Sequence, residues 1–223
     1  MAKIVKKIIV LGAAGDGRNI ADSIEDNILY KNEELKLIGF LDDDVNKQNL
    51  SINKYPVLGP LNYVNKYTDC YFISSFGSVI NNNLKKAIIN KLNLSIDKYI
   101  TVKHYTSIIS GYSKIGNGCF VGAGTIIGTN IKIGDHVKML QSIVIGHDSI
   151  VSDYCSIANS VAIAGEVCIG KSCYIGMNVS IRENIRVGEG SILGMGSVII
   201  KDVPPFSIVV GNPGRVIKKI KNK

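Results

Sequence analysis

IGNGCFVGAGTIIGTNIKIG, residues 115–134, puts an aliphatic side chain at every sixth position: Ile115, Val121, Ile127 and Ile133. The beat continues unbroken through Met139, Ile145, Val151, Ile157, Ile163, Ile169, Ile175, Ile181, Val187 and Leu193 to Ile199. A strand repeats every two residues and an α-helix every 3.6, so a six-residue period belongs to neither and points to a coiled β-solenoid. Three hexads make one triangular turn, which stacks residues 18 apart at roughly the 4.7–4.9 Å strand spacing. Fifteen hexads then give five turns. The residue after the aliphatic one is most often glycine, as at Gly116, Gly122, Gly128, Gly134, Gly146, Gly170, Gly176, Gly188 and Gly194. Glycine enters φ > 0 freely, and this predicts a sharp corner at that position. Three residues further on stand small or β-branched side chains suited to stacking, among them Cys119, Thr125, Val137, Ser149, Cys155 and Cys173.

The preceding residues, 1–100, follow a different pattern. Lys7–Leu11 reads as an apolar strand running into the glycine loop Gly12-Ala-Ala-Gly-Asp-Gly17, with an amphipathic helix expected from Arg18 to about Leu29. Leu35–Leu41 reads as a second strand closed by Asp42-Asp43-Asp44, and Tyr71–Ser75 as a third ending at Gly77. Asn83–Leu92 reads as an asparagine-capped helix. Strand, helix, strand, helix implies a small Rossmann-like parallel sheet with crossover helices. A ligand of such a sheet sits outside the carboxyl ends of the strands, where the glycine loop, the aspartates and Gly77 all fall. The loop is spaced G-x-x-G-x-G rather than as the dinucleotide fingerprint, so cradling a phosphate and merely turning the chain both remain open. The expected division is an α/β nucleotide-sugar-binding domain over 1–100 and a β-helix with a C-terminal tail over 101–223.

Composition narrows the classes. The net charge of +8 is gathered at the ends, in Lys3, Lys6 and Lys7 and in Arg215, Lys218, Lys219, Lys221 and Lys223. Without tryptophan or interleaved aromatic and basic residues, nucleic-acid binding is not expected. The opening MAKIVKKIIVLG does not read as a signal peptide, and no apolar run is long enough to cross a bilayer, so no membrane insertion is expected. Five cysteines without CxxC spacing fit a reducing, cytoplasmic compartment, with Cys155 and Cys173 stacked in the core.

Three histidines remain as candidates for chemistry. His104 falls at the join of the halves and reads as structural, and His136 reads as a solvated corner residue. His147, in Ile145-Gly-His-Asp148, takes an outward position whose counterpart one turn later is Gly165, which leaves room beside the ring. Asp148 can fix the tautomer of that ring. No serine or cysteine neighbours His147 in sequence or one turn away, which argues against an acyl-enzyme. A zinc lyase on a β-helix needs three converging histidines, and His136 and His147 differ in hexad phase, so no metal is expected.

These repeats, the Gly-His-Asp step and the ending Lys201-Asp-Val-Pro-Pro205 … Gly211-Asn-Pro-Gly-Arg215 resemble the hexapeptide acyltransferases. With GAAGDG and FLDDD in front, the chain resembles more narrowly the bacterial sugar acetyltransferases. These comprise sialic-acid O-acetyltransferases and enzymes that N-acetylate UDP-linked amino sugars, as in bacillosamine synthesis. The resemblance implies a left-handed parallel β-helix, a homotrimer, and acetyl-CoA bound between subunits. Carried over by position, it implies His147 as catalytic base with Asp148 as its acidic partner. It implies acetyl-CoA contacts at Ser156, Gly165, Met177 and Met195, with serine at 156 where relatives have histidine. It further implies nucleotide-sugar contacts at Ala14, Gly15, Asp16, Asp42, Asp43 and Gly77. Relatives often carry histidine where Asp16 stands, and compact members lack the extra residues around Asp44–Pro60. The expected activity is acetyl transfer from acetyl-CoA to the amine of a nucleotide-activated amino sugar for surface-glycan synthesis. O-acetylation of a sugar such as sialic acid is the alternative, and a non-catalytic nucleotide-sugar-binding scaffold is the alternative from another class.

Overall fold

A computed structural model describes residues 5–79 and 82–220 of the 223-residue chain. Of the terminal basic groups, Lys3, Lys221 and Lys223 lie outside the described residues. The amino-terminal half is a three-stranded parallel sheet in the order β2-β1-β5, formed by β1 (Lys6–Leu11), β2 (Leu35–Leu41) and β5 (Cys70–Ser74). Ile8, Ile9, Val10 and Leu11 of β1 are wholly buried, as expected of a central parallel strand covered on both faces. Helix α1 (Gly15–Lys31) follows β1, and α2 (Asn82–Lys91) follows β5. Helix α1 starts three residues earlier than the sequence suggests. Ala14 is extended and serves as its N-cap, so Gly15, Asp16 and Gly17 form the first turn instead of a loop. A side chain on Gly17 would run into the Gly12 carbonyl. The extra residues after β2 form a short hairpin, β3 (Ser51–Ile52) with β4 (Tyr55–Pro56), pinned to α1 by Lys54–Glu25 at 2.8 Å and Asn53–Asp22 at 2.8 Å.

From Val102 to Ile199 the chain coils as seventeen two-residue strands in three parallel sheets, roughly six turns. The first face carries Val102–Lys103, Phe120–Val121, Lys138–Met139, Ser156–Ile157, Tyr174–Ile175 and Ile192–Leu193. The second carries Ile108–Ile109, Ile126–Ile127, Val144–Ile145, Ala162–Ile163, Ser180–Ile181 and Val198–Ile199. The third carries Lys114–Ile115, Lys132–Ile133, Ile150–Val151, Cys168–Ile169 and Arg186–Val187. The solenoid begins two strands before Ile115, where the aliphatic beat lapses because Lys103 takes the slot. The strand Ser207–Val210 extends the first face and pairs antiparallel with Arg215–Lys219.

The hexad has a different anatomy from the one expected. The glycine after each inward aliphatic residue is not at positive φ. At several of these positions the next coil passes too close for a side chain: a Cβ at Gly122, Gly146, Gly170 or Gly176 would lie 2.6–2.7 Å from main-chain atoms 18 or 19 residues on, whereas Leu140, Ser152, Ala158, Ala164, Arg182 and Ile200 fill the same slot in other hexads. The left-handed position comes two residues later, and it is held at Asn130, His136, Ser142, Asp148 and Glu166 with φ of 55–59°. Its N–H donates to the preceding coil, as from Asp148 to the Thr129 carbonyl (3.1 Å) and from His136 to the Asn117 carbonyl (2.8 Å). The residue after it points inward. There Thr125 and Ser149 donate their hydroxyls to the carbonyls of Leu140 (3.0 Å) and Ala164 (3.1 Å). Cys119, Cys155 and Cys173 are buried in the same slot, and all five cysteines are free thiols.

The first face is covered by the amino-terminal half. Phe120, Lys138 and Ser156, in nominally outward slots, are at most 3% exposed, and Phe120 joins the core of Ile8, Val10 and Ile20. His136 is buried under the same cover, edge-on to Tyr99 and stacked on Tyr154, and is not the solvated residue expected. Burial lowers its pKa to about 4. Asn82 donates its amide to the Ser172 carbonyl (2.7 Å). Lys85 of α2 is wholly buried, with its ammonium 3.2 Å from the Cys155 carbonyl.

Burial, and then the like charge of Lys138, push the Lys85 ammonium down from 10.5 to about 7. Above pH 7 the unfolded chain therefore holds a proton that the folded chain has released, and stability rises with pH through this group. Between pH 7 and 8.5, unfolding free energies from urea titration should increase by up to about 1.4 kcal/mol per pH unit from Lys85 alone. Lys85→Met should flatten that slope; an equal slope in the variant would show that Lys85 stays charged.

Candidate active site

His147 projects from the corner between the second and third faces, two residues after the inward Ile145. The next residue fills the left-handed slot, where a non-glycine residue is uncommon and Asp is among the better tolerated. The slot turns Asp148 back onto the ring: Nδ1 of His147 lies 2.7 Å from its Oδ2. The other carboxylate oxygen accepts from the Asn130 amide at 2.5 Å, one coil earlier. The hydrogen bonds from Asn130 and then from His147 hold the Asp148 carboxyl below the usual carboxylate range. An anionic acceptor at Nδ1 keeps the proton there and leaves Nε2 with its lone pair free. Both side chains are about half exposed.

Gly165 lies one coil on, and a Cβ there would stand 2.6 Å from Nε2. The imidazole itself takes up the space read from the sequence, and only glycine at 165 leaves room for the ring. Thr129 occupies the corresponding slot one coil earlier, a hydroxyl that the sequence reading had passed over. Next to this corner the third face carries an open groove of about 480 Å³ lined by Ile150, Cys168, Arg186, Val187, Val203 and Pro204. Its floor is apolar, and its charged groups are Arg186 and Asp202, whose carboxylate accepts from the Arg186 main-chain N–H at 2.8 Å.

The other residues expected at a cofactor lie elsewhere. Met177 and Met195 are exposed and one coil apart, but they sit at the corner between the first and second faces, across the second face from His147. Ser156 is buried on the first face beneath Gly77, its hydroxyl without a partner among the described residues. His104 pairs with Asp26 (3.1 Å) and Thr106 (2.8 Å), far in register from His147, and the described residues contain no cluster of three potential metal ligands.

At the sheet's carboxyl end, Ala14 and Gly15 are exposed at the start of α1, and the space where a Gly15 side chain would stand is open. Asp42 faces inward to the glycine loop, accepting from the N–H of Ala13 (2.7 Å) and of Asp44 (2.9 Å) and pairing with Lys47 (3.0 Å). Burial raises its pKa, but these N–H groups and Lys47 outweigh that and lower it overall. Asp43 is exposed and accepts from the N–H of Leu61 (2.8 Å), the first residue of the 3₁₀ turn Leu61–Lys66. Asp16 pairs with Lys138, which also donates to the carbonyls of Ser75 (3.1 Å) and Gly77 (2.7 Å). Sequence patterning does not single out Lys138, because Lys114 and Lys132 fill the same hexad slot and are exposed.

Residues 7–92 match the PglD N-terminal domain family, and residues 167–201 match the bacterial transferase hexapeptide repeats. The acetyltransferase domain of PglB from Neisseria gonorrhoeae superposes with a TM-score of 0.83 at 25% identity, over 95% of this chain and 100% of that one. A second structure of that domain is a complex with acetyl coenzyme A. WeeI from Acinetobacter baumannii gives a TM-score of 0.80 at 25% identity, over 95% of this chain and 100% of that one. PerB from Caulobacter crescentus, in complex with CoA and GDP-perosamine, shares the fold with a TM-score of 0.82 at 20% identity, over 96% of this chain and 99% of that one. Among curated proteins, none matches this sequence. In fold and repeats the chain is similar to the hexapeptide-repeat acyltransferases. Its amino-terminal half is of the PglD type.

Gly165→Ala tests the geometry of the corner. The added methyl must displace the imidazole, and a displacement of about 1 Å should cost on the order of 10²-fold in kcat for acyl transfer. Because the site is a partly exposed corner, the melting temperature should hardly move. Undiminished kcat would mean that Nε2 is not where the reaction occurs.

Proposed function

We propose that the protein transfers an acetyl group from acetyl-CoA to the amine of a nucleotide-linked amino sugar, a reaction of surface-glycan synthesis. The observation that carries this reading is the His147 ring, held by Asp148 with its Nε2 edge lying over Gly165. The PglB domain's complex with acetyl coenzyme A supports the donor. The PglD-type half, open at Ala14 and Gly15, supports a nucleotide-linked acceptor, and the ligands of PerB are of the same two classes. Nε2 takes a proton from the acceptor nitrogen as that nitrogen attacks the thioester carbonyl. The C–S bond then breaks, and the imidazolium returns the proton to the departing thiolate. Asp148 stabilises the imidazolium without itself accepting the proton.

The reading includes a homotrimer. The outward slots of the second face, Ile108, Ile126 and Val144, are 41–65% exposed and form a continuous apolar stripe. Such a stripe on a soluble protein marks a contact surface. His147 follows the last strand of the stripe at one corner of the face, and Met177 and Met195 stand at the opposite corner two and three coils further on, so a ring of chains would set the methionine edge of one against the histidine edge of the next. Among the described residues no helix is long and apolar enough to cross a membrane. Five free thiols fit a reducing compartment and support a cytoplasmic reaction.

His147→Ala should lower kcat by about 10²–10⁴-fold with little change in acetyl-CoA affinity, measured by thiol release with a panel of nucleotide-linked amino sugars. Asp148→Asn should lose less. Full activity in His147→Ala rules out the mechanism; turnover of free sugars alone rules out the nucleotide-linked acceptor. Val144→Glu, which buries a charge in the stripe, should convert a particle of about three times 24.1 kDa to monomer in light scattering. A trimer that survives this change would place the interface elsewhere.

A further inference from the structure

Lys138 is a solenoid side chain whose ammonium bonds only to the amino-terminal half. It occupies an outward slot of the first face yet is 3% exposed. Its three N–H donors meet three acceptors: the Asp16 carboxylate in the first turn of α1, and the carbonyls of Ser75 and Gly77 after β5. Both segments sit at the carboxyl ends of neighbouring strands, β1 and β5, where a parallel sheet holds its ligand. The Asp16 side chain is one-third exposed and stands beside Ala14 and Gly15, whose surroundings are open. Left uncompensated, its negative charge would oppose an anionic ligand at that place. The Lys138 ammonium cancels it from beneath.

We propose that Lys138 is a positioning residue for the nucleotide half of the substrate: it neutralises Asp16 and fixes residues 14–17 against residues 75–77, so that this end of the sheet accepts a diphosphate. The inference rests on the nucleotide-sugar reading and deepens it. It gives the solenoid a part in acceptor binding, apart from the chemistry at His147. It also assigns Asp16 a role as half of a neutral pair, in place of a direct substrate contact.

The test uses UDP and GDP as probes, with dissociation constants from calorimetry, so that no turnover is needed. Lys138→Met leaves the carboxylate unpaired and should weaken diphosphate binding about tenfold or more, with acetyl-CoA binding unchanged. Adding Asp16→Asn to that variant removes the charge and should restore binding to within about threefold of the wild type. Lys138→Arg should keep the pairing and bind like the wild type. A purely structural role predicts that the double variant is at least as weak as Lys138→Met, and that result would overturn the proposal. Should Lys138→Met fail to fold, Asp16→Asn alone decides. It should bind the diphosphates no more weakly than the wild type, and a tenfold loss would overturn the proposal. If the wild type binds neither probe, this inference falls. If the binding pattern holds but no amino sugar is acetylated, the inference stands and the acetyl-transfer reading falls.

Discussion

One coil of main chain stacked on another at a single strand spacing is the constraint from which the rest of the solenoid follows, and at Gly122, Gly146, Gly170 and Gly176 it leaves no room for a Cβ. The chain passes the narrow point with glycine and turns two residues later through a left-handed residue bonded to the coil below. It then drops a small side chain into the core, where a hydroxyl or thiol meets a carbonyl of the next coil. The corner residue between the glycine and the left-handed position is the one left free to face solvent. His147 occupies such a corner, and Asp148 is both the left-handed residue the turn requires and the partner the imidazole requires. At Gly165 the missing Cβ serves another purpose: there the excluded atom would meet the Nε2 lone pair, not main chain.

The second organising contact is the cover over the first face. A solenoid face of this kind is ordinarily exposed, and burying it brings polar groups with it. Lys138 meets that cost with three acceptors, whereas Lys85 has one carbonyl and a cationic neighbour, which favours its neutral form. The amino-terminal sheet and the solenoid therefore share a core at Phe120 and a polar seam at Lys138, and the orientation of the carboxyl end of the sheet is set by groups on the solenoid.

Much of this was legible in the sequence because a period of six has one structural solution. The inward aliphatic residues, the stacked cysteines, the exposed His147 and the space at Gly165 follow from counting alone. Counting could not see past Lys103, which carries no aliphatic signal although its main chain is already in the first coil. It also assigned the glycines to the corner, because positive φ and close approach call for the same residue and only coordinates separate them. Lys138 and His136 were beyond its reach for a third reason. Their hexad slots are solvent-facing elsewhere, and only the covering half of the chain, distant in sequence, makes them interior. The aspartates after β2 lie where the strand pattern put them, yet Asp42 spends both oxygens on main-chain N–H groups, a local choice that composition does not reveal.

The groove on the third face runs from Ile150 to Pro205 and so crosses three successive coils beyond the His147 corner. At strand spacing that is a track of about 14 Å, close to the span of four extended residues. Its length is quantised. The coil admits no partial repeat without breaking the register of all three faces, so reach can change only by adding or deleting 18 residues, in steps of about 4.8 Å. The length of the groove is thus fixed in whole coils of the solenoid, and side-chain substitutions alter only the chemistry of its walls.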